Sequence, residues 1–378
     1  MAHLRGMGRT LNILHVLRAP VGGLFRHVLD LSRGQIAHGH RVGLIADAST
    51  GGAWAEESLA QLAPQLALGM SRVEMSRHLG LRDIAAASHV ARRVTEVEAD
   101  IVHGHGAKGG AYARLLTSRL ALTPHGGSLH FAWNSPAGFL YLASERLLMP
   151  RTELFLFESE YGRCAFERKL GESGTLARVV HNGVRPDEFA PILPVPEATD
   201  LVFVGELRTL KGVDVLIEAI AALMRRGKHV TATVVGDGPD RGAFEALTKA
   251  RALVQLVRFV GAKPARTGFA LGRLLVVPSR AESLPYVVLE GAAAAVPMIA
   301  TRVGGIAEIF GAEASALIDP GDAEGLARAI AHALSHPAAA TDAAGRLQQR
   351  IRMAFGVDAM TQAVLAAYGE ALAIHNQG

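Results

Sequence analysis

The feature that most restricts how this chain can fold is an alternation of short apolar strands and helical stretches that runs to a proline-rich segment and then begins again. In the first half, residues 11–17, 41–46, 100–103, 154–157 and 178–181 read as strands, with helices over 24–38 and 107–116. Residues 191–197 carry three prolines in seven positions and read as a linker. Beyond it the strands are 200–204, 230–235, 257–260, 274–277, 298–300 and 316–318, with helices over 213–226 and 241–252. Residues 338–344 read as an alanine-rich connector, and a last helix is expected over 357–374. Strands that alternate with helices build parallel sheets covered on both faces. The expected fold is α/β, with two doubly wound domains, 1–190 and 197–356, facing across a cleft. The helix within 357–378 is long enough to cross back onto the first domain. In such sheets ligands bind beyond the carboxyl ends of the strands, where the glycine turns fall.

Length and composition agree with that plan. A chain of 378 residues exceeds one ordinary core. Its 49% hydrophobic and 5% aromatic content suits sheets closely covered by helices. No stretch approaches the ~20 apolar residues of a membrane span. The basic start, residues 1–9, precedes an apolar run interrupted by Asn12 and His15, which reads as a buried strand and not as a signal peptide. A single cysteine, Cys164, excludes an internal disulfide and fits a reducing compartment, so a cytoplasmic location is expected. Through Ala190 there are 21 Lys/Arg against 17 Asp/Glu, while the remainder is neutral. That excess is compatible with an acidic ligand, an anionic membrane surface or an ordinary solvated face.

The chemistry concentrates in Pro278-Ser279-Arg280-Ala281-Glu282-Ser283-Leu284-Pro285-Tyr286-Val287-Val288-Leu289-Glu290. Ser283 is the expected N-cap of a helix, with Glu282 at the mouth of the preceding loop and Glu290 about two turns in. Backbone N–H groups at the helix start favour an anion between the two carboxylates, a layout suited to a sugar nucleoside diphosphate. Gly22 and Gly23, after the first strand, permit close approach of a backbone amide to a ligand or serve the turn alone. Within Gly205-Glu206-Leu207-Arg208-Thr209-Leu210-Lys211-Gly212, Arg208 offers a diphosphate a forked contact and Lys211 a point charge. Either cation, taken alone, is as easily a solvated loop residue. Gly236-Asp237-Gly238 reads as a nucleotide-proximal turn, without the later acidic residue of a nicotinamide site.

Three further groups carry weaker signals. His103-Gly104-His105 reads as a strand whose alternating side chains face opposite ways, with no third ligand nearby, so no metal is expected. Thr123-Pro124-His125-Gly126-Gly127 places His125 at a strand end toward the expected cleft, where a satisfied structural histidine is the competing reading. Glu308, after Val303-Gly304-Gly305, is equally a surface residue or a ligand.

In this order the pieces resemble the family-4 retaining glycosyltransferases, which use two Rossmann-like domains in the GT-B fold. The strongest parts are Glu282…Glu290 and Pro297-Met298-Ile299-Ala300-Thr301-Arg302-Val303-Gly304-Gly305-Ile306-Ala307-Glu308. Val180-His181-Asn182-Gly183-Val184-Arg185-Pro186-Asp187-Glu188-Phe189, Lys211-Gly212 and Gly236-Asp237-Gly238 support them. The resemblance implies that Glu290 binds the ribose hydroxyls and that Glu282 faces the donor sugar. It implies phosphate contacts from amides around Leu284, Pro285 and Tyr286, with Gly236 near the nucleotide and Arg208 and Lys211 neutralising the leaving diphosphate. Gly22, Gly23 and His125 would meet the donor from the first domain. No metal or cofactor is implied, the donor being a UDP- or GDP-sugar and the acceptor a glycan or lipid-linked molecule, with no nucleic acid. Peripheral association with an anionic inner-membrane face is a further expectation. Two departures from the family pattern are Glu206, where arginine is common, and Gly291, where alanine is usual. A sugar-nucleotide epimerase, a phosphorylase of the same fold and a non-catalytic binding subunit remain as alternatives.

Overall fold

The structure, a computed structural model, describes residues 9–75, 80–114, 120–125 and 133–375. Residues 1–8 of the basic start, Leu115 and Leu116 of the expected 107–116 helix, and Gly126 and Gly127 of the His125 turn lie outside them. The chain divides into two compact units, Met1–Gly183 with Val357–Gly378, and Val184–Gly356.

The first unit holds a seven-stranded sheet of β1 (Asn12–Leu17), β2 (Arg41–Asp47), β3 (Met70–Val73), β4 (Ile101–His105), β5 (Leu120–Thr123), β6 (Leu154–Phe157) and β7 (Leu176–Val179). Their order is β3-β2-β1-β4-β5-β6-β7, all parallel. Both faces of the central strands are covered, so β1 and β4 are buried almost throughout and their residues do not alternate between core and solvent. Ile13 and Ile101 face helices Gly22–Ala37 and Val357–His375 through Leu31, Met360 and Val364. Leu14, Val16 and Val102 pack on the opposite face with Tyr112 and Val90. The last helix lies close on the first, since a Cβ at Gly34 would stand 2.2 Å from Thr361 Oγ1. A glycine there lets the two backbones approach.

The second unit has a five-stranded parallel sheet of β8 (Thr199–Val204), β9 (Ala232–Val235), β10 (Val257–Phe259), β11 (Gly272–Val277) and β12 (Met298–Ala300), ordered β10-β9-β8-β11-β12. Leu201, Phe203, Val234 and Val276 face helices Val213–Arg225 and Ala323–Ser335. Val202, Val235, Leu275 and Val277 face helices Tyr286–Ala293 and Pro337–Ala354.

Three expectations need correction. The segment 191–197 is not a free linker, because it rides on the second unit: Ile192 N–H donates to Ala294 O (3.2 Å) and Val195 N–H to Ala270 O (2.9 Å). The unit boundary accordingly falls at Gly183 and Val184, short of residue 190. Residues 338–344 belong to helix Pro337–Ala354, as an alanine-rich run with good helix propensity should. Residues 316–318 give only an isolated bridge between Thr301 and Ile318.

Candidate functional site

In each sheet the chain runs outward in one direction from its first strand and then returns to the other side. The strand order therefore reverses between β8 and β11 in the second unit, and between β1 and β4 in the first. Open parallel sheets bind ligands at such points.

At the reversal in the second unit, the loops after β8 and β11 are tied together by an ion pair. Lys211 Nζ donates to both oxygens of Glu282, at 2.7 and 2.8 Å. The Glu282 side chain is only 8% exposed and that of Lys211 30%, so the carboxylate is the more deeply held partner. Ser279 Oγ also donates to Glu282 Oε1 at 2.7 Å. Ser279 is fixed in turn through its carbonyl, which accepts from Thr301 Oγ1 (2.6 Å). The Gly304 turn presses on the same loop: its φ is +57°, and a Cβ there would meet Glu282 O at 2.2 Å. Gly305 N–H donates to Ser283 O at 2.6 Å. The glycine pair thus buttresses the Glu282 loop, while Glu308 sits in the following short helix, its carbonyl accepting from Arg350.

Gly236 has the same kind of task. At φ +146° its Cβ position lies 1.8 Å from Gly205 O, so only glycine lets the loops after β8 and β9 cross. Arg280, which motif reading left without a role, bridges to Asp214 and to Thr209 O (2.8 Å), and so braces the Lys211 turn.

The other expected site residues are placed as follows. Arg208 is exposed and paired with Glu206 at 2.8 Å. The helix begins at Tyr286 with Pro285 as its N-cap, so Ser283 is not the cap and Glu290 is the fifth helical residue, about one turn in. Pro285 has no amide to give a phosphate, and its carbonyl accepts from Val288 N–H (3.2 Å). Leu284 and Tyr286 are buried, so any ligand contact there is through the backbone. Gly22 and Gly23 are exposed in the first turn of helix Gly22–Ala37, with open space around Gly22.

The reversal in the first unit is occupied by histidines. His15 on β1 and His103 on β4 are register partners, and Leu17 pairs with His105. Residues two apart on a strand share a face. His103 and His105 accordingly lie side by side with ring centroids 4.0 Å apart, which corrects the expectation that they diverge. His103 Nδ1 meets Tyr368 Oη at 2.7 Å and its Nε2 meets Thr123 Oγ1 at 2.8 Å. His125, at φ +50°, is fixed by Glu158 on Nδ1 (2.8 Å) and His105 on Nε2 (3.1 Å), with its side chain 5% exposed. His27, from the covering helix, meets Asn182 Oδ1 at 2.9 Å.

Burial disfavours the charged forms of four rings: it lowers His15 to about 4 and, with repulsion from His125, His27 to about 3. His103 and His105 are pushed well below the ordinary value by burial first, and then by repulsion from His15 on His103 and from His103 on His105. Burial alone would raise the Glu158 carboxyl, but His125 beside it holds it down at about 2. His15, His27, Asn182 and Glu158 went unrecognised as a cluster, although histidines at 15, 103 and 105 on adjacent strands were a usable signal.

Two parallel sheets with glycine loops at their reversal points define an α/β architecture of GT-B type. Residues 21–188 match the family model described as Glycosyltransferase Family 4, and residues 198–336 match Glycosyl transferases group 1. The glycogen synthase of Mycobacterium tuberculosis is 30% identical over 50% of this chain and 47% of its own length. The Bacillus subtilis teichuronic acid biosynthesis glycosyltransferase TuaC is 31% identical over 66% of this chain and 65% of its own. The chain thus spans about half to two thirds of these relatives. The fold of Anabaena HepE, solved in complex with UDP and glucose, superposes with a TM-score of 0.77 at 20% identity, over 94% of this chain and 98% of that one. The chain belongs to the family-4 glycosyltransferases.

Proposed function

We propose that the protein is a retaining, metal-independent glycosyltransferase that moves a sugar from a nucleoside-diphosphate donor to a glycan or lipid-linked acceptor in cell-surface polysaccharide or glycolipid synthesis. The observation that carries this reading is the Lys211–Glu282 pair across the reversal point of the second unit. It supports the reading because a sugar diphosphate calls for a cation at its phosphates and a carboxylate at its sugar. Breaking the anomeric bond leaves positive charge on the sugar and negative charge on the departing diphosphate. Lys211 and nearby backbone N–H groups stabilise the diphosphate, the kind of preorganised electrostatic contribution that is usually the largest. Glu282 orients the sugar and Glu290 the ribose.

Retention follows if the acceptor attacks the face the diphosphate leaves and gives its proton to that phosphate. Roles at the donor sugar for Gly22, Gly23 and His125, and a diphosphate role for Arg208, rest on the family resemblance. The ligands in the HepE complex make UDP and a hexose the first donor components to try. Saturation-transfer NMR with UDP- and GDP-sugars, followed by assays for released nucleoside diphosphate with glycan and lipid-linked acceptors, tests the reading. Sugar exchange without acceptor would indicate an epimerase, and dependence on inorganic phosphate a phosphorylase. No binding of any nucleotide sugar would refute the donor assignment.

A lipid-linked acceptor is favoured by helix Pro136–Leu148, which exposes Phe139, Leu140 and Leu147. No helix among the described residues is long and apolar enough to cross a membrane, so any attachment through this helix would be peripheral. Phe139→Ser with Leu147→Ser is expected to reduce flotation with anionic liposomes at least several-fold while leaving the melting temperature unchanged. Equal flotation of variant and parent would remove the membrane assignment.

A further inference from the structure

At the reversal point of the first unit one cation is left without a partner. Arg18 follows β1 directly. Leu17 before it pairs with Ala46 on β2 and with His105 on β4, so residue 18 stands between the carboxyl ends of those two strands. Helix Gly106–Arg114 crosses close over the same end, since a Cβ at Gly109 would meet Val16 O at 2.5 Å and Leu17 Cα at 3.2 Å. Arg18 is half-buried, and among the described residues no group accepts a hydrogen bond from it or pairs with its charge.

The carboxylates at this end of the sheet are already engaged. Asp47, which closes β2, is fully buried and accepts from Ser49 Oγ (2.8 Å), Thr50 Oγ1 (2.5 Å) and Met75 N–H (2.7 Å), with the Ser49 amide as a fourth donor. A carboxylate has about four lone-pair sites, so Asp47 has none left for a guanidinium. Asp83 accepts from Lys108 Nζ (2.8 Å), Gly80 N–H (2.8 Å) and the Tyr112 hydroxyl. Tyr112 lies within reach of both charges: burial and then Asp83 raise its phenol, while Arg18 pulls it the other way. What remains is a guanidinium whose N–H donors have no acceptor, at the position where open parallel sheets bind ligands.

We propose that Arg18 binds an oxyanion, a phosphate or carboxylate group carried by the acceptor of the transfer reaction. The planar guanidinium matches either group through two parallel N–H···O bonds. Lys108 is neutralised by Asp83 and adds no second free charge, so a single anionic group is the expected ligand and a polyanion is not. The assignment to the acceptor rests on the glycosyltransferase reading above, whereas the anion site itself rests on the geometry of the first unit.

The test begins with the anion site. Both tryptophans lie in the first unit, so their fluorescence follows its melting. Inorganic phosphate, added to the full chain at constant ionic strength, is expected to raise that melting temperature in the parent and in Lys211→Met, and not in Arg18→Gln. No rise in the parent, or an equal rise in Arg18→Gln, would overturn the site. The same measurement with glycerol 3-phosphate, short-chain phosphatidylglycerol and glucuronate, each beside its neutral counterpart, separates a free phosphate, a lipid headgroup and a sugar acid as the source. In transfer assays Arg18→Gln is expected to raise the acceptor KM about tenfold or more and to leave nucleotide-sugar affinity unchanged. An unchanged acceptor KM, or weakened donor binding, would overturn the acceptor role. A parent chain that binds phosphate through Arg18 but no nucleotide sugar would refute the donor reading and leave the anion site standing.

Discussion

Lowering the pH from 7.5 to 5 is expected to destabilise the first unit strongly. The sign follows from the buried histidines. His15, His27, His103 and His105 bind protons less readily folded than unfolded, because burial penalises their charged forms. Unfolding therefore takes up protons, and stability is full above the unfolded value of about 6.5 and falls as pH drops toward 4 and 3. For His15 and His27 this costs about 2 kcal/mol each at pH 5. His103 and His105 act in the same direction, and a domain's whole stability is only about 5–15 kcal/mol. Glu158 acts in the same direction at lower pH, since its depressed carboxyl contributes stability above about 4.5 that is lost toward 2. Both tryptophans, Trp54 and Trp133, belong to the first unit, so their fluorescence reports it alone. A melting temperature for that signal that is flat between pH 7.5 and 5 would mean that the rings are not buried and neutral.

Opposite effects are expected from the two halves of the Lys211–Glu282 pair. Lys211→Met removes a charge-assisted contact worth about 1.5–3 kcal/mol to a phosphate, so nucleoside diphosphate binding should weaken about 10- to 150-fold. Glu282→Gln removes the carboxylate that holds Lys211 in the absence of ligand. Nucleoside diphosphate should then bind several-fold more tightly, while transfer slows because the sugar loses its carboxylate partner. A purely structural ion pair would instead lower the melting temperature in both variants and move diphosphate affinity in one direction. Calorimetric titration beside transfer rates separates the two outcomes.

Much of the fold was legible because parallel strands buried on both faces leave runs such as Leu14–Leu17's neighbours in β1 and the Leu274–Val277 stretch of β11 that few other structures tolerate. Less was legible where tertiary contacts decide. The prolines at 191, 194 and 196 suggest a flexible tether, yet backbone groups between them are bonded to the second unit. The partners of Lys211 and Arg208 could not be read from spacing, because side-chain choice depends on how far the loop after β11 reaches back. Glu282 proved the partner of Lys211, and Glu206 that of Arg208. The histidine cluster combines residues from both ends of the chain's first unit with Tyr368 from its last helix. Strand register brings His15, His103 and His105 together, and the covering helices and the turns after the strands add the rest.

The central claim, a nucleoside diphosphate site between the loop after β8 and helix Tyr286–Ala293, is tested most directly by titrating UDP and GDP into the parent chain and Glu290→Ala. One of the two nucleotides is expected to bind the parent at a single site and the variant at least tenfold more weakly, with melting temperatures alike. Binding of neither nucleotide to the parent, or equal binding to both proteins, would contradict the account.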